Sequence, residues 1–205
     1  MTVSAPRLLD TRSPRDPAAA VLVLHGGASR PGRPEVSPAQ LSVLRMVPIA
    51  SRLARAGRGR LAVHRLLNSS RGWDSAHTPV DDVRWALGRV RERYGDLPVA
   101  LVGHSLGGRA ALLAGGADGV RNVVALNPWV YPDDDADLTG RRVLVVHGTE
   151  DRVASLQRAR AVVANLRRRA DVELREVPGG KHAMLRHGRV FETAATTFVV
   201  QTLLT

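Results

Sequence analysis

The chain has 205 residues, of which 44% are hydrophobic and 24% charged, the balance of one globular domain with a real core rather than a disordered segment. It contains no cysteine, which excludes disulfide scaffolds, cysteine nucleophiles and thiolate metal sites. Thirty basic against nineteen acidic residues leave a net charge of +11, yet the arginines come from every part of the chain, from Arg7 to Arg186, and aromatic residues make up only 3%. That is too few for a stacking platform, so no nucleic-acid partner is expected, and the charge implies at most a general pull on anionic substrates.

In chain order, residues 1–19 hold at most one edge strand, over Arg7-Leu8-Leu9. The first strong strand is Ala20–Leu24, an apolar run without alternation, as in a strand buried on both faces. Residues 30–38 read as a loop rich in proline and arginine, and 38–56 as a helix. A second strand covers Leu61–Leu66. The helix after it carries an apolar stripe of Val80, Val83, Leu87 and Val90, with Thr78 as its cap, Pro79 in its first turn and Asp81 beside it. Strands follow at Val99–Val102, Val123–Leu126 and Val143–Val146, with helices over 106–115 and 155–169. The last strand, Val172–Val177, alternates and so belongs near an edge, and a helix over 184–203 closes the chain. Alternating strands and helices predict an α/β fold: a mostly parallel sheet of about six to seven strands with helices on both faces. No apolar run approaches the roughly 18–20 residues needed to cross a bilayer. The N-terminus also lacks the apolar stretch of a secretory signal, so the expectation is a cytoplasmic protein with no membrane span.

The sharpest chemical signal is Val102-Gly103-His104-Ser105-Leu106-Gly107-Gly108, which leaves a buried strand and opens a helical segment. A serine in so tight a strand-to-helix turn takes a strained backbone, and side chains two residues to either side would collide, which accounts for Gly103 and Gly107. The turn lifts the hydroxyl out of the sheet and sets the Leu106 amide at a helix N-terminus, where it can face an oxyanion.

These residues, with three further segments, resemble an α/β-hydrolase, from about Ala20 to the C-terminus. Leu24-His25-Gly26-Gly27 stands where the family places its second oxyanion donor. Val146-His147-Gly148-Thr149-Glu150-Asp151-Arg152-Val153 looks like the acid turn. Pro178-Gly179-Gly180-Lys181-His182 follows the last strand, where the catalytic histidine lies. The order Ser105, Asp151, His182 is the order the fold uses. The resemblance therefore implies Ser105 as nucleophile, His182 as base and Asp151 as acid. Leu106 and Gly27 would be the oxyanion donors, with Gly26 and Ala28 as alternatives to Gly27. His187, one helical turn beyond the loop, is the rival base. The cluster Asp133 to Asp135 occupies a position some relatives use for the acid but reads as a solvated loop, and Asp74, Asp81 and Asp82 read as loop and helix-start carboxylates. His25 and His104 read as rings that pack the loops.

Only about nineteen residues precede the first strong strand, and the stretch from Pro128 to Arg141, where many relatives insert a lid, is short. The expectation is a trimmed hydrolase core over 20–205 without a cap domain, most like the small lidless esterases and dienelactone-hydrolase-like members. The implied reaction is hydrolysis of a carboxylic ester through an acyl-enzyme, on a small-molecule ester or thioester, with no cofactor and no metal. Trp73 on one loop, and Trp129 with Tyr131 on another, are read as apolar pocket walls or else as packing aromatics. Thioester hydrolysis or acyl transfer would use the same triad. A non-catalytic binding module usually lacks a triad member, and all three positions are filled here.

Overall fold

A computed structural model describes residues 4–29 and 35–204. Seven strands form one sheet: β1 (Arg7–Arg12), β2 (Ala19–Leu24), β3 (Leu61–Leu67), β4 (Val99–His104), β5 (Val120–Leu126), β6 (Arg142–Gly148) and β7 (Asp171–Val177). Their spatial order is β1-β3-β2-β4-β5-β6-β7. Every neighbouring pair is parallel except β1 with β3, so Arg7-Leu8-Leu9 does belong to an edge strand, and the alternating β7 forms the other edge.

The helices are α1 (Leu41–Leu44), α2 (Val47–Ala56), α3 (Thr78–Tyr94), α4 (Leu106–Ala114), α5 (Leu156–Leu166) and α6 (Gly188–Leu203). The period of two in the central strands divides their side chains between two cores. Ala20, Leu22 and Leu24 of β2 pack with Val83 and Val90 of α3, Ala111 of α4 and Val162 of α5. Val21 and Val23 face the other way, onto Ile49 and Leu53 of α2 and Phe191, Ala195 and Val199 of α6. Both faces are thus covered, which is why these strands read as unbroken apolar runs.

The structure corrects three local expectations. The helix expected over 38–56 is two, because Pro48 has no N–H to donate and its ring disfavours continuation from the preceding turn. Pro48 instead stands in the first turn of α2. His77, not Thr78, is the N-cap of α3, at φ 58°, and the Asp74 carboxylate accepts from the Thr78 amide at 3.0 Å. The last helix begins at Gly188 rather than 184, because Met184 lies at φ 57° and closes a turn onto the Lys181 carbonyl at 2.9 Å. That turn holds His182. Part of the 30–38 loop, residues 30–34, lies outside the described residues. No described helix is long and apolar enough to cross a membrane.

Candidate active site

The C-terminal ends of β2, β4, β6 and β7 carry the segments picked out by their motifs. Ser105 follows β4 directly at φ 56° and ψ −119°, with its amide donating to the Leu126 carbonyl at 3.0 Å. The turn is possible only because no side chain intrudes. A Cβ on Gly107 would stand 2.5 Å from the Leu24 carbonyl oxygen, and one on Gly103 would run into the Gly107 backbone. Leu106 is the first residue of α4, so its N–H has no intrahelical acceptor.

Asp151 and His182 reach Ser105 from two loops packed against each other. Gly148 meets Gly180 so closely that a Cβ on either would collide with the other's backbone, and the Glu150 amide donates to the Gly180 carbonyl at 2.9 Å. The result is a continuous chain of polar atoms. The His182 Nδ1–H donates to Asp151 Oδ2 at 2.8 Å. That tautomer leaves Nε2 to accept from the Ser105 hydroxyl at 3.0 Å. The Asp151 side chain is fully shielded from solvent, and its other oxygen accepts from the amides of Val153 and Ala154 at 2.8 and 2.9 Å. Burial works to raise this carboxyl, but the bonds from His182 and the two amides outweigh it and hold it below the usual carboxylate range. It stays ionised.

The rivals are elsewhere. His187 caps α6. Asp133 and Asp135 are exposed, the latter facing Arg169 at 3.7 Å. Asp134, expected in a solvated loop, instead turns its side chain inward, 7% exposed: it receives Nε and Nη2 of Arg109 at 3.0 and 2.6 Å and the Tyr131 amide at 2.8 Å. Arg109 lies on α4, one turn after Ser105, and its guanidinium stacks on Trp73 at 4.2 Å with Trp129 and Tyr131 around it. Asp82, read as a helix-start carboxylate, does lie near the start of α3 and is buried there. It accepts from the Ser69 amide and hydroxyl at 2.8 and 3.1 Å, anchoring the loop that carries Trp73.

A cleft of about 490 Å³ opens at Ser105, lined by Gly27, Ala28, Trp73, Leu106, Trp129 and His182 among others. Trp73 and Trp129 are among the residues that line it, while Tyr131 packs edge-on against Trp129 at 5.0 Å. Gly27 sits at the mouth at φ +137°, while a Cβ on Gly26 would stand 2.9 Å from that of Ser105. Two residues of the site escaped the sequence reading. Asn127, fully buried at the end of β5, accepts from the Gly148 amide at 2.8 Å and donates to the carbonyls of Lys181 and His182, both at 3.2 Å. The other is Arg45, which lines the cleft. His104 does pack a loop: its Nε2–H donates to the His182 carbonyl at 2.8 Å, and burial, then the nearby His182 and Arg45, push its pKa down to about 3. Among the described residues no group of three or more histidines or carboxylates could hold a metal ion.

This sheet order, with serine, acid and histidine at the C-terminal edge, defines a class. The family model for the alpha/beta hydrolase fold matches residues 20–142, more than half of the sequence. The chain belongs to that family. Solved structures agree on the fold. Est1E from Butyrivibrio proteoclasticus is 15% identical with a TM-score of 0.72, covering 98% of this chain and 94% of its own. XC6422 from Xanthomonas campestris, described as a serine hydrolase without lid, is 18% identical with a TM-score of 0.69, covering 98% and 89%. An alpha-beta serine hydrolase homologue from Coxiella burnetii is 17% identical with a TM-score of 0.69, covering 95% and 90%. No curated protein matches the sequence.

Proposed function

We propose that this protein is a serine hydrolase that cleaves a carboxylic ester through an acyl-enzyme, with Ser105 as nucleophile, His182 as base and Asp151 as the group that orients it. The observation that carries this reading is the unbroken chain from Asp151 through His182 to the Ser105 hydroxyl, at 2.8 and 3.0 Å, opening into the cleft. His182 Nε2 takes the hydroxyl proton as Oγ attacks the ester carbonyl, and the buried Asp151 stabilises the imidazolium that forms. The tetrahedral oxyanion develops toward the Leu106 N–H, with the Gly27 N–H as second donor. His182 then protonates the departing alcohol, and water attacks the acyl-Ser105 by the same route. Trp73 and Trp129 supply apolar walls for the acyl or alcohol part. Residues 127–141 carry no helix or strand, which supports a single hydrolase unit with an open cleft. Est1E, similar in fold, has been solved with ferulic acid bound, in keeping with this substrate class.

The test is a panel of esters and matched thioesters of graded chain length, assayed with the unmodified protein and with Ser105→Ala. The substitution is expected to lower hydrolysis by on the order of 10⁴-fold or more. A Ser105→Ala protein that keeps most of the rate would remove serine from the mechanism.

A further inference from the structure

Arg45 ends the short helix α1 as its C-cap, and its side chain forms part of the cleft wall together with His104, Ser105 and His182. It is half-buried, and its Nε is shut off from solvent with no hydrogen-bond partner. Among the described residues it forms no ion pair. The residues outside the description, 1–3, 30–34 and 205, include no aspartate or glutamate, so no carboxylate side chain is left to serve it. Arg109, another arginine close to the cleft walls, is by contrast neutralised by Asp134 and stacked on Trp73.

Among the described residues no carboxylate lines the cleft, and Asp151 is fully shielded from solvent. Among the described residues that line the opening, Arg45 is the one guanidinium, and it is uncompensated. Its charge is felt at His104, beside the nucleophile. A partly desolvated cation without a counter-charge is costly to fold. An apolar or neutral side chain would serve the wall of a neutral-ester pocket better, as Trp73 and Trp129 do elsewhere in the lining. Arginine offers a planar fork of donors that matches a carboxylate, and the net charge of +11 favours the approach of an anion.

We infer that Arg45 is the anion-binding residue of this cleft and that the substrate is an ester carrying a second, anionic group, a carboxylate above all, near the scissile bond. This rests on the hydrolase reading above and deepens it by naming the substrate class.

Two matched pairs of esters test it. The 4-nitrophenyl monoester of adipic acid against 4-nitrophenyl hexanoate places the charge on the acyl side; 4-acetoxybenzoate against 4-acetoxybenzamide places it on the leaving side. The unmodified protein is expected to prefer the charged member of at least one pair. In Arg45→Met the charged-to-neutral ratio of kcat/KM is expected to fall on the order of 10- to 100-fold, the range for a hydrogen bond to a charged group. Arg45→Lys should restore part of the ratio and Arg45→Glu lower it further. The thermal midpoint of Arg45→Met should not fall, which separates a ligand-binding arginine from a structural one. A ratio that Arg45→Met leaves unchanged in both pairs overturns the proposal, as does an equal loss on charged and neutral esters, which would place Arg45 at the oxyanion instead. Calorimetry with Ser105→Ala reads the anion site without turnover: monomethyl adipate should bind, dimethyl adipate much more weakly, and the addition of Arg45→Met should remove the difference. Should the unmodified protein cleave none of these esters, the hydrolase reading fails, while the calorimetry still decides whether Arg45 selects a carboxylate.

Discussion

Ser105 adopts φ 56° and ψ −119°, a backbone state that costs a residue with a side chain on the order of 1–3 kcal/mol. The strain exposes Oγ, and it separates stability from activity in a measurable way. Ser105→Gly removes the hydroxyl together with the conformational cost, so its thermal midpoint is expected to exceed that of Ser105→Ala, with both inactive. Gly107→Ala should behave in the opposite sense. Its Cβ would meet the Leu24 carbonyl oxygen at 2.5 Å, strand-end backbone that cannot swing aside, and urea denaturation should register a loss of about 2 kcal/mol or more.

At the scale of elements, the site is three loops that must keep their spacing, and Asn127 joins them. It links the end of β5 to Gly148, the last residue of β6, and to the histidine loop. Asn127→Ala would leave the Gly148 amide and two carbonyls without this partner in a buried place. The expected cost is about 2–4 kcal/mol in denaturant unfolding, with kcat falling more than KM rises as His182 drifts from Ser105. What the sequence made legible is local. A buried strand, a glycine-flanked serine and a helix are contiguous, so the elbow could be read without the fold. The resemblance then assigned Asp151 and His182 through turns with their own short patterns. What stayed hidden depends on contacts distant in sequence. Asp134 looked solvated because Arg109, its partner, lies 25 residues away. Asp82 looked like an ordinary helix-start acid until Ser69 came beneath it. Asn127 and Arg45 carry no motif, and their roles follow only from which loops converge on them. The split of 38–56 is different, since Pro48 itself marks it.

Over the whole molecule, four buried histidines set a common pH response. Burial pushes His25, His64, His104 and His147 below the ordinary histidine value, His104 to about 3. Below about pH 6.5 the unfolded chain therefore takes up protons that the folded chain refuses. Stability is present in full above that pH and is lost as the pH falls, for His104 down to about 3. Asp151, depressed in the folded state, adds to the loss at the acid end, whereas Asp82, raised by burial, opposes it. Urea midpoints should fall steadily from pH 7 to pH 4, and a midpoint constant over that range would contradict the neutral buried state of these rings. The central claim, that Ser105 is a nucleophile activated through His182, is tested most directly by a fluorophosphonate probe followed by peptide mass spectrometry. One adduct is expected, on Ser105, strongly slowed in His182→Ala and absent in Ser105→Ala; no adduct, or one on another residue, would contradict a Ser105 nucleophile.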